Sequence, residues 1–201
     1  MTQPTLWSAG AREPAVTDLE GLLAGPGHVS IRGDLARIGV VVSRARAGRL
    51  AALIAAELGL EPELTPVSDQ EGLAVRTPWL AELRPVARAW QQGSITRPPA
   101  GWTLDGARLR WWCVAAGAVD GENYRLALSA TSESAWPGVG AAMSAAGVSG
   151  AFIGVRAGGP AYRVVGQRRL ARLRELVGDA PAGVPPNEWP PSPPHGSPMA
   201  L

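Results

Sequence analysis

The sequence predicts an α+β protein built from two pseudo-symmetric half-domains. Two apolar runs rich in glycine and alanine each end in a glycine-bearing turn that leads into strand-forming residues, DLEGLLAGPGH at 18–28 and WWCVAAGAVDG at 111–121. A second pair of segments matches as strand, turn and helix, GLAVRTPWLAELRPVARAW at 72–90 and AYRVVGQRRLARLRELVG at 161–178. A unit that recurs in this way is typical of an internally repeated fold. The apolar fraction of 46% is sufficient for a buried core.

The elements of the first half follow from local patterns. Thr17 or Asp18 can cap a short helix over 17–25. The β-branched run RIGVVVS predicts a strand that pairs with the preceding alternating segment across a Gly-Asp turn. Helical periodicity and a closing glycine predict an amphipathic helix over 47–60. A hairpin over 63–67 and 72–77 and a helix over 78–90, kinked at Pro85, complete this half.

The second half repeats the order with one predicted difference. A helix is expected over 107–119, and Gly121 then leads almost at once into a single strand at 124–129, which leaves no room for a first hairpin. A further helix, a hairpin of AFIGVR and AYRVVG, and a last helix capped by Gly178 follow. The predicted division of the chain is a flexible arm at 1–16, a first half at 17–94, a connector at 95–106, a second half at 107–179 and a proline-rich, disordered or extended tail at 180–201. Within that tail, Trp189 can dock back onto the domain.

Composition narrows the choice of function. The single cysteine, Cys113, excludes an intramolecular disulfide and is expected to be a buried small apolar residue. The N-terminus does not resemble a signal peptide and no run is long and apolar enough to span a membrane, so a cytoplasmic location is expected. No phosphate-binding glycine loop, zinc cluster or paired nucleophile and histidine is visible. All 19 basic residues are arginines, which fits drift in a GC-rich genome better than selection for phosphate contact.

The repeat and its two apolar motifs resemble the LAGLIDADG homing-endonuclease family. In place of the nine-residue signature the chain has LEGLLAGPG at 19–27 and CVAAGAVDG at 113–121, and RPPAGWTLDGARLRWW resembles the lead-in to the second motif. The resemblance covers residues 17–180 and implies two αββαββα-type halves, each with an antiparallel sheet that forms part of a saddle. It also implies that the two motif helices meet through small residues, here Gly21, Ala24 and Gly25 on one side and Ala115, Ala116 and Ala118 on the other.

The family's nuclease chemistry depends on one acidic residue near the end of each motif. Paired carboxylates hold a divalent metal that activates water for phosphodiester cleavage. Here Pro26 occupies the first acidic position and Asp120 the second, so the resemblance implies a degenerate copy that does not cleave. Asp120 remains the one candidate catalytic and metal-binding residue, with Mg²⁺ as the cofactor if cleavage is retained and no cofactor otherwise. A plain turn residue in an Asp-Gly pair is the favoured alternative.

The family binds double-stranded DNA on the concave faces of its sheets. Alternation along the predicted strands gives a set of exposed candidates that suit phosphate and guanine contacts: Ser30, Arg32, Arg37, Arg76, Arg125, Arg156 and Arg163. Ordinary solubilising residues on a solvent-facing sheet explain them equally well. His28 is expected to be a turn residue.

Three functions therefore stay open. The first is a non-cleaving DNA-binding protein with a regulatory or DNA-maintenance role. The second is an active metal-dependent endonuclease with an asymmetric site at Asp120. The third is an interaction domain that acts through a protein partner without nucleic acid. Because two halves already supply the dyad, a monomer is expected.

Overall fold

A computed structural model describes residues 9–67, 72–93 and 95–191. From α1 to α3 the chain forms helix, two strands, helix, two strands and helix, and the same order recurs from α4 to α6. The elements are α1 (Glu20–Ala24), β1 (His28–Arg32), β2 (Leu35–Ser43), α2 (Arg44–Leu58), β3 (Glu63–Pro66), β4 (Gly72–Arg76), α3 (Leu83–Trp90), β5 (Gln91–Gln92), β6 (Ile95–Thr96), α4 (Gly106–Ala116), β7 (Gly117–Asp120), β8 (Asn123–Ala127), α5 (Trp136–Ala145), β9 (Gly150–Ile153), β10 (Ala161–Val164) and α6 (Gln167–Val177).

Two antiparallel four-stranded sheets carry the architecture, so the α+β prediction is confirmed. The first has the strand order β1-β2-β4-β3 and the second the order β7-β8-β10-β9. Strands β5 and β6 form a small separate hairpin in the segment between the halves. One face of each sheet packs on helices, because alternate residues of the central strands are apolar and buried, such as Ile38 and Val40 in β2 and Tyr124 and Leu126 in β8.

The buried residues of both halves belong to one continuous hydrophobic core. Large side chains of α4 lie at its centre, and Trp111, Trp112 and Cys113 are each at most 2% exposed. Burial raises the pKa of the Cys113 thiol to about 12, so the group is neutral and behaves as the small apolar residue that was expected. The core therefore joins the halves instead of filling each of them separately.

Helices α1 and α4 meet through glycines on one side and large residues on the other. A methyl group on Gly21 would lie 1.9 Å from the backbone oxygen of Arg108, and one on Gly25 would lie 2.6 Å from the Trp112 ring. The Trp112 ring is fixed beside Gly25, because its indole N–H donates to the backbone oxygen of Ala127 at 2.8 Å. The predicted close approach at Gly21 and Gly25 is confirmed.

The partner surface on α4 differs from the predicted one. Gly21 and Gly25 contact Arg108 and Trp112, and not the small residues at 115–118. The contact therefore lies nearer the N-terminal end of α4. Only α1 supplies small residues at these two points, while α4 supplies its backbone and a tryptophan.

The end of α4 was predicted wrongly. The helix stops at Ala116, and residues 117–120 form strand β7, so Asp120 lies at the end of a strand and not at the end of a helix. Strands β7 and β8 form a hairpin with Asp120 opposite Asn123. The expectation that the second half lacks this hairpin was therefore also wrong.

Two smaller predictions fail for local reasons. Pro85 does not lie within a long helix, because α3 begins at Leu83 and places the proline in the first turn, where no intrahelical N–H bond is needed. Arg156 was placed on a strand, but β9 ends at Ile153 and Arg156 lies in a 3-10 helix at Val155–Ala157.

The described part of the predicted tail is ordered and packs onto the domain. Trp189 is 2% exposed, and its indole donates to the oxygen of Gly178 at 3.1 Å. The Glu188 carboxylate pairs with Arg46 and Arg49, and the Glu188 backbone oxygen accepts from the Tyr124 hydroxyl at 2.8 Å. The docking expected of Trp189 thus agrees with these contacts, whereas disorder does not describe residues 180–191; the rest of the predicted tail lies outside the described residues.

Candidate nucleic-acid interface

The face of the first sheet that points away from the core carries a run of polar residues. Directly opposite residues in an antiparallel sheet share a face, and the register places Ser30 opposite Arg37, His28 opposite Gly39, and Gly39 opposite Arg76. We call this surface the first open face; its polar members on the strands are His28, Ser30, Arg32, Arg37, Ser43, Glu63, Thr65 and Arg76. The predicted positions of Ser30, Arg32, Arg37 and Arg76 on one face agree with this register.

Two arginines of the first open face are held in place by their neighbours. The Arg37 guanidinium lies over the Trp79 ring, 4.5 Å from its centroid, and its Nη1 is 3.4 Å from a Glu63 oxygen. Arg76 Nη1 donates to the Thr65 hydroxyl at 2.9 Å. Because these contacts restrict the side chains before any ligand arrives, less conformational entropy is lost on binding.

The second sheet has a corresponding polar surface. Arg163 on β10 lies directly opposite Arg125 on β8, and Arg125 lies opposite Ala118 on β7. We call this surface the second open face; its polar members on the strands are Asp120, Asn123, Arg125 and Arg163. Asp120 Oδ2 accepts from Arg163 Nε at 2.7 Å, and Arg125 Nη1 donates to the oxygen of Gly158 at 3.0 Å.

The structure separates one predicted DNA-binding residue from the others. Arg156 is exposed in the segment between β9 and β10, the same segment from which Gly158 reaches Arg125. It therefore lies beside the second open face and not on a strand of it. The remaining arginines fall into two groups, Arg32, Arg37 and Arg76 on one sheet and Arg125 and Arg163 on the other.

Positive charge exceeds negative charge on both faces. The described strands present five arginines there and two carboxylates, Glu63 and Asp120. Each carboxylate pairs with one arginine, Glu63 with Arg37 and Asp120 with Arg163. Two arginines directly opposite each other on one face, such as Arg125 and Arg163, repel each other. An anion bound between them would offset that repulsion.

The sequence interpretation missed His28 as a member of the first open face. The His28 ring occupies the space that a side chain at Gly39 would need. A methyl group added at Gly39 would lie 2.7 Å from His28 Nε2 and 3.4 Å from Arg76 Cγ. Desolvation, followed by the charges of Arg76 and Arg37, lowers the pKa of His28 from its ordinary value of 6.5. Alternation along the strand places His28 on the same side as Ser30 and Arg32, so the signal was present in the sequence, but the interpretation of His28 as a turn residue overlooked it.

The residues present do not fit a magnesium site of the expected kind. Mg²⁺ binds carboxylate and other oxygen ligands, whereas Pro26 has no side-chain ligand and Asp120 is already paired with Arg163. Within residues 9–67, 72–93 and 95–191, no three or more His, Cys, Asp or Glu residues cluster closely enough to hold a metal.

The two buried carboxylates among the described residues, Glu20 and Asp18, accept hydrogen bonds from within the protein. Glu20 is 9% exposed and accepts from the Trp102 indole at 2.7 Å and from Arg108 Nε at 2.8 Å. Asp18 is 1% exposed and accepts from the backbone N–H of Ala15 and from Arg12. These pairs hold the chain before α1 and the start of α4 together.

Comparison with known proteins gives no relative: no family model matches the chain, and no curated protein matches it either. None of the helices in the described ranges has the length and apolar character that crossing a membrane requires.

Proposed function

We propose that this chain is a LAGLIDADG-like protein that binds double-stranded DNA on the open faces of its two sheets and does not cleave it. Its role would be regulatory or protective in DNA maintenance. Three features of the fold support the family likeness: the recurring order of helices and strands, the matching strand orders of the two sheets, and the packing of α1 against α4. In this proposal the two halves are pseudo-symmetric and their sheets form the two sides of one saddle.

The observation that carries the proposal is the arrangement of arginines across strands. Arg125 and Arg163 are directly opposite each other, and Arg37 and Arg76 lie on adjacent strands, with Arg76 opposite Gly39 and Arg37 in the neighbouring row. A solubilising surface does not require like charges in neighbouring rows, and Asp120 and Glu63 offset only one arginine of each pair, Arg163 and Arg37. The regularly spaced phosphates of a duplex provide the remaining negative charge.

Binding to duplex DNA should weaken steeply as salt rises. Phosphate contacts release counterions, so the logarithm of the association constant falls linearly with the logarithm of salt concentration, with a slope of about −4.5 if the five arginines each contact a phosphate. Replacing Arg32, Arg37 and Arg76 by glutamine should reduce the magnitude of that slope by about 2 to 3. Fluorescence anisotropy of a labelled duplex at several salt concentrations measures both quantities.

The matched control replaces Arg168, Arg169 and Arg172 on α6 by glutamine. This triple variant removes the same charge from a helix that belongs to neither open face, so its slope should remain that of the unmodified protein. The proposal fails if the α6 variant loses binding while the first-face variant keeps it. No affinity for duplex DNA at low salt would leave an interaction domain as the remaining function.

Supercoiled plasmid incubated with the protein and Mg²⁺ or Mn²⁺ should stay intact. The expectation follows from the placement of Asp120, which ends a strand and is ion-paired with Arg163, and from the proline in the other motif. Gel electrophoresis of the plasmid over time provides the measurement. Nicking that disappears in the Asp120→Asn variant would instead establish the endonuclease alternative.

A further inference from the structure

His28 lies on the edge strand of the first open face, beside the arginines of that face. The row that contains it runs from His28 through Gly39 to Arg76 and Glu63, and Arg37 lies in the neighbouring row. Because Gly39 has no side chain, the imidazole and the Arg76 stem approach the same point above β2. The imidazole, which is accessible to solvent, therefore shares this surface with the positively charged side chains of Arg76 and Arg37.

The charges near His28 favour the neutral ring when no ligand is present. Arg32, Arg37 and Arg76 share its face, and Glu63 is the one carboxylate on that face of the described strands, where it pairs with Arg37. Helices α1 and α3 also contact β1, and their charged residues are Glu20, Arg84 and Arg88. Glu20 is held by Arg108, and Arg84 donates to the oxygen of Gly33, so neither pairs with the imidazole.

A phosphate bound on this face would favour the protonated form of His28 over the neutral form. Its negative charge would offset the two guanidinium groups and favour the imidazolium, which can donate from both ring nitrogens. A group whose proton affinity is higher in the complex than in the free protein takes up a proton on binding, and affinity then rises as pH falls.

We propose that binding of duplex DNA to the first open face takes up a proton at His28, so that the affinity for DNA is controlled by pH near neutrality. This inference rests on the proposed DNA-binding function and adds a regulatory property to it. The free protein carries a neutral His28 at pH 8 and binds through its arginines alone. At lower pH the imidazolium adds a further phosphate contact.

The expected result is an affinity about three- to tenfold tighter at pH 5.5 than at pH 8, measured by anisotropy at constant salt. The gain begins as pH falls through the higher pKa of His28 in the complex, and it reaches a plateau below the lowered pKa of the free protein, where His28 is protonated in both states. The His28→Gln variant should show pH-independent affinity equal to that of the unmodified protein at pH 8. The matched control is His195→Gln, the other histidine of the chain, which should keep the full pH dependence.

A direct measurement guards against a folding defect in the variant. Titration of the His28 ring by NMR in the unmodified protein should give a higher pKa in the presence of duplex DNA than in its absence. Equal values, or pH-independent binding of DNA by the unmodified protein, would overturn the inference and leave the proposed function standing. Absence of DNA binding at every pH would overturn both.

Discussion

Replacing Trp189 by alanine should lower the free energy of unfolding by about 3–5 kcal/mol, the usual cost of truncating a fully buried tryptophan. The side chain is 2% exposed, donates to the Gly178 oxygen and lies 5.6 Å from the Arg110 guanidinium. For a chain of this length the loss corresponds to a decrease in melting temperature of roughly 6–20 °C. Denaturant and thermal unfolding followed by circular dichroism measure both changes.

The control for this variant is Asn187→Ala, an exposed position in the same segment. Its effect should remain within about 0.5 kcal/mol, as for most surface substitutions. Equal stability of the two variants would mean that residues 180–191 do not belong to the cooperatively folded unit.

The Gly21→Ala variant should be less stable than the unmodified protein by about 2–3 kcal/mol, because the added methyl group would lie 1.9 Å from a backbone oxygen of α4. A backbone oxygen cannot move aside as the end of a flexible side chain can. The two helices must therefore separate, which disturbs the continuous core around them. Urea unfolding with a constant m-value would attribute the change to the folded state.

The same substitution at Gly48 provides a control in which the free energy of unfolding should rise and not fall. Gly48 lies on the exposed side of α2, and no other group lies within 4 Å of an added methyl group. Gly48→Ala should therefore stabilise the protein by about 0.5–1 kcal/mol through helix propensity alone. A similar response at both glycines would contradict the close packing of α1 and α4.

Local sequence patterns predict much of the fold, for identifiable reasons. The β-branched run at 37–43, the Gly33 turn and the periodicity of α2 each determine their own conformation within a few residues. The end of α4 is different, since the run CVAAGAVDG suits a helix and a strand equally well. The change occurs at Gly117, where β7 begins to pair with β8 and where an added methyl group would lie 1.8 Å from the Tyr124 hydroxyl. No local pattern contains that contact.

In the candidate site, too, the sequence predicts features of a single strand but not the contacts between strands. Alternation along a strand predicts that Arg125 and Arg163 are each outward-facing, but only the register between β8 and β10 makes them directly opposite. Prolines in the last segment suggested disorder, because such residues do not form helices or sheets. The segment instead packs through Trp189, the one residue in it whose apolar ring suggests docking, and through Glu188, whose long-range pair with Arg49 no local pattern reveals.

The surfaces of α1 and α4 that meet in the core are unlike each other. At the two close contacts, α1 offers the space left by Gly21 and Gly25, while α4 offers the Arg108 backbone and the bulky Trp112 ring. Neither surface has room for added volume, so a larger side chain on one helix requires a smaller one or a backbone shift on the other. Mutations at this contact are therefore expected to be coupled in their effects on stability, and only paired changes should be tolerated.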